Sequence, residues 1–186
     1  MNAVSLKREE KGTVLEVQIL LWIQKNLRNN ILSPILIAVT KLGNHGMVWI
    51  AAASLLFLCE KTRAAGFLSF MALIGSMIIN NMIIKRLAAR TRPYEVIPEL
   101  KILIEKEKDL SFPSGHTGSA FAVATVLFCC LPQGYGIAAL SFAFLMGLTR
   151  LYVGVHYPTD VLAGAVIGTL IGVLIFLSRG LPLIFL

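Results

Sequence analysis

Three short clusters between Lys85 and Asp160 carry residue types that could do chemistry together. The first is Lys85 followed, after six residues, by Arg92-Pro93. The second is Pro113-Ser114-Gly115-His116. The third is Arg150, then five residues to His156, then three to Asp160. They supply three cations, two imidazoles, one carboxylate and a Ser-Gly turn. That inventory suits holding a phosphoryl group and attacking it with histidine. In phosphoryl transfer, negative charge spreads over the equatorial oxygens, and fixed cations and N–H donors aimed there stabilise the transition state. Arg92 and Arg150 can each offer a forked pair of hydrogen bonds, while Lys85 adds a compact point charge. Taken singly, each cation reads as a snorkelling helix-end residue. Convergence with two histidines turns the reading towards a site.

The second and third clusters add detail. Gly115 lets backbone approach an anion closely, and a helix starting there presents free N–H groups. Ser114 can donate its hydroxyl or simply cap the helix. His156 and Asp160 stand four apart, with Pro158 between them. Asp160 then falls in a first helical turn, where negative charge is favoured. It can cap that helix, accept the Nδ1–H of His156, or do both. The second role fixes the tautomer and frees Nε2 as nucleophile. His116 is left as the general acid for the leaving oxygen.

The elements that must position these residues are read from apolar patterning. With 56% hydrophobic residues and a mean hydropathy of +0.78, the chain points to an integral membrane protein. Its apolar residues come in long blocks separated by polar knots. A spanning chain must satisfy its backbone internally, so the expected fold is all-α, a polytopic membrane helix bundle. The 186 residues suit one domain. Residues 1–12 read as a polar tail. Residues 13–28 read as an amphipathic helix on the membrane surface with Trp22 as an anchor, or as the end of a first span. Apolar runs follow at 47–59, 64–84, 116–131, 135–151 and 158–177, with a shorter one at 31–42. About six membrane helices result. His45 falls in a turn, as a solvated residue or a ligand contact. Asn80 and Asn81 are expected to bond between helices. Residues 94–112 form the one long extramembrane segment, either a short helix over the site or a solvated connector.

Antiparallel packing then decides where the clusters meet. The first follows the C-terminal end of one span, the second precedes the next, and the third lies one helix later at the same level. All three converge on one membrane surface.

Other classes fit less well. A net charge of +7 could suggest nucleic acid, but no basic face with interleaved aromatics is present. Lys85, Arg86, Arg90 and Arg92 crowd one helix end, which suits an anionic lipid headgroup better. Cys59, Cys129 and Cys130 lie in apolar runs and read as core residues. No carboxylate or His/Cys cluster has metal-ligand spacing, so no metal is expected. The first apolar run is interrupted by charge, so no secretory signal peptide is expected. A transporter or scaffold is the reading from another class. It would favour ionisable residues in a row through the bilayer, whereas these sit at helix ends.

The three clusters together resemble the signature of the type 2 phosphatidic acid phosphatase (PAP2) superfamily, which also includes vanadium haloperoxidases and bacterial acid phosphatases. The similarity, with flanking helices, covers roughly residues 44–177. One departure is Thr149 before Arg150, where the family often has serine. The resemblance implies a helical-bundle core, a phosphohistidine on His156 and no required metal or other cofactor. It also implies phosphate contacts from Lys85, Arg92, Ser114, Gly115, His116 and Arg150. Small membrane members of this kind are often bacterial lipid phosphatases with the site on the outer face of the plasma membrane. The expected substrate is undecaprenyl diphosphate or a similar polyprenyl diphosphate. Phosphatidylglycerophosphate or phosphatidate hydrolysis, or lipid phosphotransfer, are the alternatives.

Overall fold

The computed structural model describes residues 14–179. The expected polar tail at 1–12 lies outside them. The regular elements among the described residues are all helical, with no strand among them. Helix α1 is Val14–Asn26, α2 is Leu32–Leu42 and α3 is Met47–Leu58. Helix α4, Arg63–Ser76, runs on through a π-helical stretch, Met77–Ile84, into α5, Lys85–Ala88. After the one-turn helix α6, Pro93–Val96, comes an irregular connector. The chain finishes with α7, Gly115–Cys130, α8, Gln133–Tyr152, and α9, Pro158–Ser178.

Local chemistry sets the boundaries that matter. Ala89 ends α5 in the left-handed region, at φ 46. Ser114 caps α7 by accepting from Thr117 N at 3.4 Å. Pro158 opens α9, where its missing N–H costs nothing. Asp160 closes a capping box there by accepting from Tyr157 N at 2.8 Å.

Helix α7 is the central element, flanked by α4, α8 and α9. Its buried positions are mostly small, including Ala120, Ala122 and Ala124, so neighbours approach closely. One core cluster joins Trp49, Val123, Leu127 and Met146; another joins Leu68, Val126 and Ile171. The contact between α7 and α9 is extensive and close. A Cβ on Gly164 would lie 2.7 Å from Ser114 O, and one on Gly172 would lie 2.6 Å from Ala122 O. A Cβ on Gly168, between them, would collide with Gly118 O. Large apolar side chains instead face outwards, Leu58, Phe144, Leu162 and Leu174 among them.

The helical class agrees with the sequence, and among the described residues a test of length and composition picks out part of the about six expected spans. Three stretches are long and apolar enough to cross a membrane: Glu60–Val96, Gln133–Tyr152 and Pro158–Ser178. A fourth results if α2 and α3, bent by 54° at a short break, count as one. The runs at 31–42 and 47–59 are therefore one broken unit by this measure. Helix α7 has 16 residues. At about 1.5 Å per residue it is shorter than a hydrocarbon core of about 30 Å.

Helix α1 uses its inner face as a clamp. Leu20 is fully buried against Ile97, Leu100 and Tyr157. Gln24 holds the connector, donating to Glu99 O at 2.9 Å and accepting from Lys101 N at 2.8 Å. Trp22 is exposed, as an interfacial anchor would be. Asn80 departs from expectation. Its amide donates to Ser76 Oγ at 3.0 Å, within its own helical run, and packs against Gly118.

Candidate active site

The fold brings the three clusters together on one side of the bundle. Arg92, 1% exposed, donates through Nη1 to Val155 O at 2.9 Å and lies 3.3 Å from His156 Nε2. Arg150 is fully buried at the end of α8, with Nη1 donating to Thr40 Oγ1 at 2.6 Å. Lys85 is 4% exposed. Snorkelling cations keep their heads in water, and these do not.

His156 is aimed by its surroundings. Its Nδ1 lies 3.4 Å from Asp160 Oδ2, so Nε2 faces the cations. Burial, then Arg92 and Arg150, hold the imidazole well below its usual range. The shift favours the neutral ring. Asp160 both caps α9 and faces His156. It also accepts from Ser111 Oγ at 2.5 Å and from Arg90 Nη1 at 2.7 Å. Arg90 in turn pairs with Glu16 of α1 at 2.9 Å and stacks over Tyr157, 3.9 Å from its ring centroid.

The second cluster joins through its backbone, Ser114 N donating to Asp160 O at 3.0 Å. Ser114 Oγ accepts from Thr117 Oγ1 at 2.9 Å, so its capping role is explicit. Gly115 packs against Asn81, whose Oδ1 would lie 2.6 Å from an added Cβ. His116 Nε2 is 3.1 Å from Asn44 Oδ1. Thr149 turns its hydroxyl to Met146 O at 2.7 Å, back into its own helix. His45 is exposed, at φ 53 in the turn before α3. A cavity of about 1340 Å³ lies over the site. Lys85, Gly115, His116 and His156 share its lining with apolar residues of α3, α4 and the π-helical stretch: Ile50, Phe70, Leu73 and Met77.

Sequence reasoning missed the two acidic residues that meet these cations. Glu107 binds Arg150 Nη2 with one oxygen and Arg92 Nη2 with the other. Asp109 lies 2.5 Å from Lys85 Nζ and 2.5 Å from Arg92 Nη2, and its carbonyl accepts from Arg92 Nε at 2.8 Å. Burial pushes the Asp109 carboxyl up, but Lys85 and Arg92 outweigh it and bring it down to about 2. Burial also opposes ionisation of Glu107, yet Arg150, Arg92 and His156 hold it below its usual value. In sequence these carboxylates alternate with Lys106 and Lys108, which reads as a solvated run. Their only signal is proximity to Pro113-Ser114. Thr40 and Asn44 were likewise missed, and Arg90, grouped in sequence with the headgroup cations, pairs instead with Glu16 and Asp160.

Comparison with known proteins places this geometry in a class. The PAP2 superfamily profile matches residues 64–181, a range that holds all three clusters. The chain belongs to the PAP2 superfamily. It is 30% identical over 143 residues to an undecaprenyl-diphosphatase of Sulfolobus acidocaldarius, covering 77% of this chain and 68% of that protein. The crystal structure of LpxE from Aquifex aeolicus superposes with a TM-score of 0.78 at 26% identity, covering 89% of this chain and 96% of that one. A phosphatidylglycerolphosphate phosphatase from Bacillus subtilis superposes with a TM-score of 0.72 at 26% identity, covering 98% and 90%.

Proposed function

We propose that the chain removes the terminal phosphate of undecaprenyl diphosphate, or of a similar polyprenyl diphosphate, through a phosphohistidine on His156. It is a membrane lipid phosphatase of the PAP2 superfamily. One observation carries the substrate reading: a single cavity lined both by Lys85, His116 and His156 and by apolar residues such as Ile50, Phe70 and Leu73. The polar lining suits a diphosphate headgroup, and the apolar lining suits the start of a prenyl chain. The similarity to an undecaprenyl-diphosphatase supports the same choice.

In this reading Lys85, Arg92 and Arg150 hold the phosphoryl oxygens, with Ser114 and Gly115 at the head of α7. His156 Nε2 attacks phosphorus, and Asp160 steadies the ring from the other side. The bond to the leaving oxygen breaks as His116 gives it a proton. Water then releases phosphate from His156. The cations supply the charge a divalent metal would otherwise bring.

The test is phosphate release in detergent from undecaprenyl diphosphate, beside phosphatidylglycerophosphate and phosphatidate. Undecaprenyl diphosphate should turn over fastest, His156→Ala should abolish release, and exhaustive chelation should leave it intact. A stronger preference for phosphatidylglycerophosphate would favour the alternative that the Bacillus subtilis structure suggests.

We place the whole chain, as one domain, in the bacterial plasma membrane as a multi-pass protein with its site on the outer face. Lys61 and Arg179 gather at the opposite end, lining one small cavity there. The site side carries lysines too, Lys101, Lys106 and Lys108 among them, so the positive-inside rule does not orient the chain unaided.

A further inference from the structure

We propose that Glu107 is a built-in occupant of the phosphoryl subsite, which the substrate's terminal phosphate must displace, and that this exchange selects phosphoryl groups carrying two negative charges. The inference rests on the phosphatase reading and deepens it.

Position comes first. Glu107 bridges Arg150 Nη2 and Arg92 Nη2, the forked donors a phosphoryl group would use. Its Oε2 lies 4.0 Å from His156 Nε2, on the side from which the nucleophile meets phosphorus. A phosphoryl group and this carboxylate cannot share that space. Asp109 differs, because it holds Lys85 and Arg92 while half of its side chain remains exposed. It orients the cations and can stay.

Charge comes second. Lys85, Arg92 and Arg150 bring three positive charges, and Glu107 and Asp109 bring two negative ones. Exchanging Glu107 for a phosphoryl dianion balances the site completely. A phosphodiester brings one charge and gains nothing by the exchange. It also has fewer free oxygens for the donors. Arg150 Nε, buried without a hydrogen-bond partner, shows that Glu107 fills this cradle incompletely.

The chain around Glu107 is built to let it leave. It lies in an irregular segment between two fixed points. On one side Leu103 N donates to Val153 O at 3.1 Å, and on the other Ser111 N donates to Arg90 O at 2.8 Å. Glu105, Lys106 and Lys108 are exposed. Beyond its ion pairs, Glu107 is tied by Tyr94 Oη donating to its carbonyl at 3.0 Å. Swinging it outwards disrupts no helix, and the cavity it lines offers room.

An internal occupant weakens apparent affinity by the fraction of molecules it leaves open. The experiment uses the full chain in detergent, with orthovanadate and inorganic phosphate as probes of the subsite. Glu107→Gln should bind vanadate about tenfold tighter or more than wild type. Dimethyl phosphate, a monoanion, should compete with vanadate in the variant only. Unchanged or weaker vanadate binding would mean that Glu107 is a working part of the site, and the inference would fall. Equal competition by dimethyl phosphate in both proteins would remove the selection. A second measurement needs no variant. Amide exchange at residues 104–108 of the wild type should quicken when vanadate saturates the site, and slower or unchanged exchange counts against displacement. If wild type hydrolyses lipid phosphates while these results go the wrong way, the inference fails alone. If neither protein binds phosphate or vanadate, the phosphatase reading fails with it.

Discussion

His156 and His116 are both imidazoles at helix ends, yet their surroundings divide the work. His156 is packed between Asp160 and Arg92, whereas His116 opens on the cavity and meets Asn44. His156→Ala should therefore abolish hydrolysis of every substrate. His116→Ala should depend on the leaving group. A monoester such as phosphatidate expels an alkoxide, which needs a proton, while a polyprenyl diphosphate expels a much weaker base. General acid help is worth about 10²–10⁴-fold where it is needed. The loss should be of that order on monoesters and far smaller on diphosphates. Single-turnover rates check this, and equal losses would assign His116 to phosphate binding. The protonation state of His156 is a separate matter. Because its pKa is depressed, the neutral ring should persist as pH falls below 6.5. NMR of labelled histidine, assigned with the His156→Ala variant, should show no titration of this ring between about pH 8 and 6. At this scale the site was legible where spacing carried it. Helix ends fix the places of Lys85, Arg92, His116, Arg150 and His156. Glu107 and Asp109 were not legible, because only the fold of an irregular connector brings them onto those cations.

Helix α1 shows what an element can add to a site it does not line. The family match begins at residue 64, well beyond it. Glu16 is nevertheless buried, pairs with Arg90 and accepts from Thr159 N at 3.2 Å. Arg90 then reaches Asp160. This chain holds the carboxylate so that one oxygen stays towards His156. Arg90→Met removes a cation beside Asp160, which makes the Asp160–His156 pair more basic. The His156 pKa should rise, and the acid limb of kcat/KM should move to higher pH. Arg90→Lys should restore part of the wild-type profile. A lower Tm with an unshifted pH profile would reduce Arg90 to a structural tie. The sequence offered α1 as an amphipathic surface helix, and its period was legible. That its buried face would carry a glutamate was not, because the partner lies 74 residues away.

Across the whole molecule, hydropathy revealed the helical class, and three or four of the about six expected crossings meet a test of length and composition among the described residues. The eleven residues of Leu32–Leu42, mostly apolar, look like a short span in sequence. In the fold this helix sits at the level of the site, and Thr40 near its end touches Arg150. Hydropathy reports what surrounds a segment, not where the segment lies. Orientation is decided by labelling. A cysteine in place of Lys106, which is exposed on the connector, should react with an impermeant thiol reagent on intact cells, after outer-membrane permeabilisation where one exists. Labelling only after lysis would put the site inside.

The three glycines of α9 have a consequence beyond close packing. Helix α7 carries His116 at its head, and α9 begins just after His156. At Gly164, Gly168 and Gly172, α9 rests on the main chain of α7, at Ser114, Gly118 and Ala122. Main-chain atoms have no rotamers and cannot yield as a side chain does. The distance between the two histidines is thus a dimension of the polypeptide itself, like a gauge block between two jaws. Neighbouring leucines and phenylalanines can be exchanged, and the lipids around them can change, without resetting it.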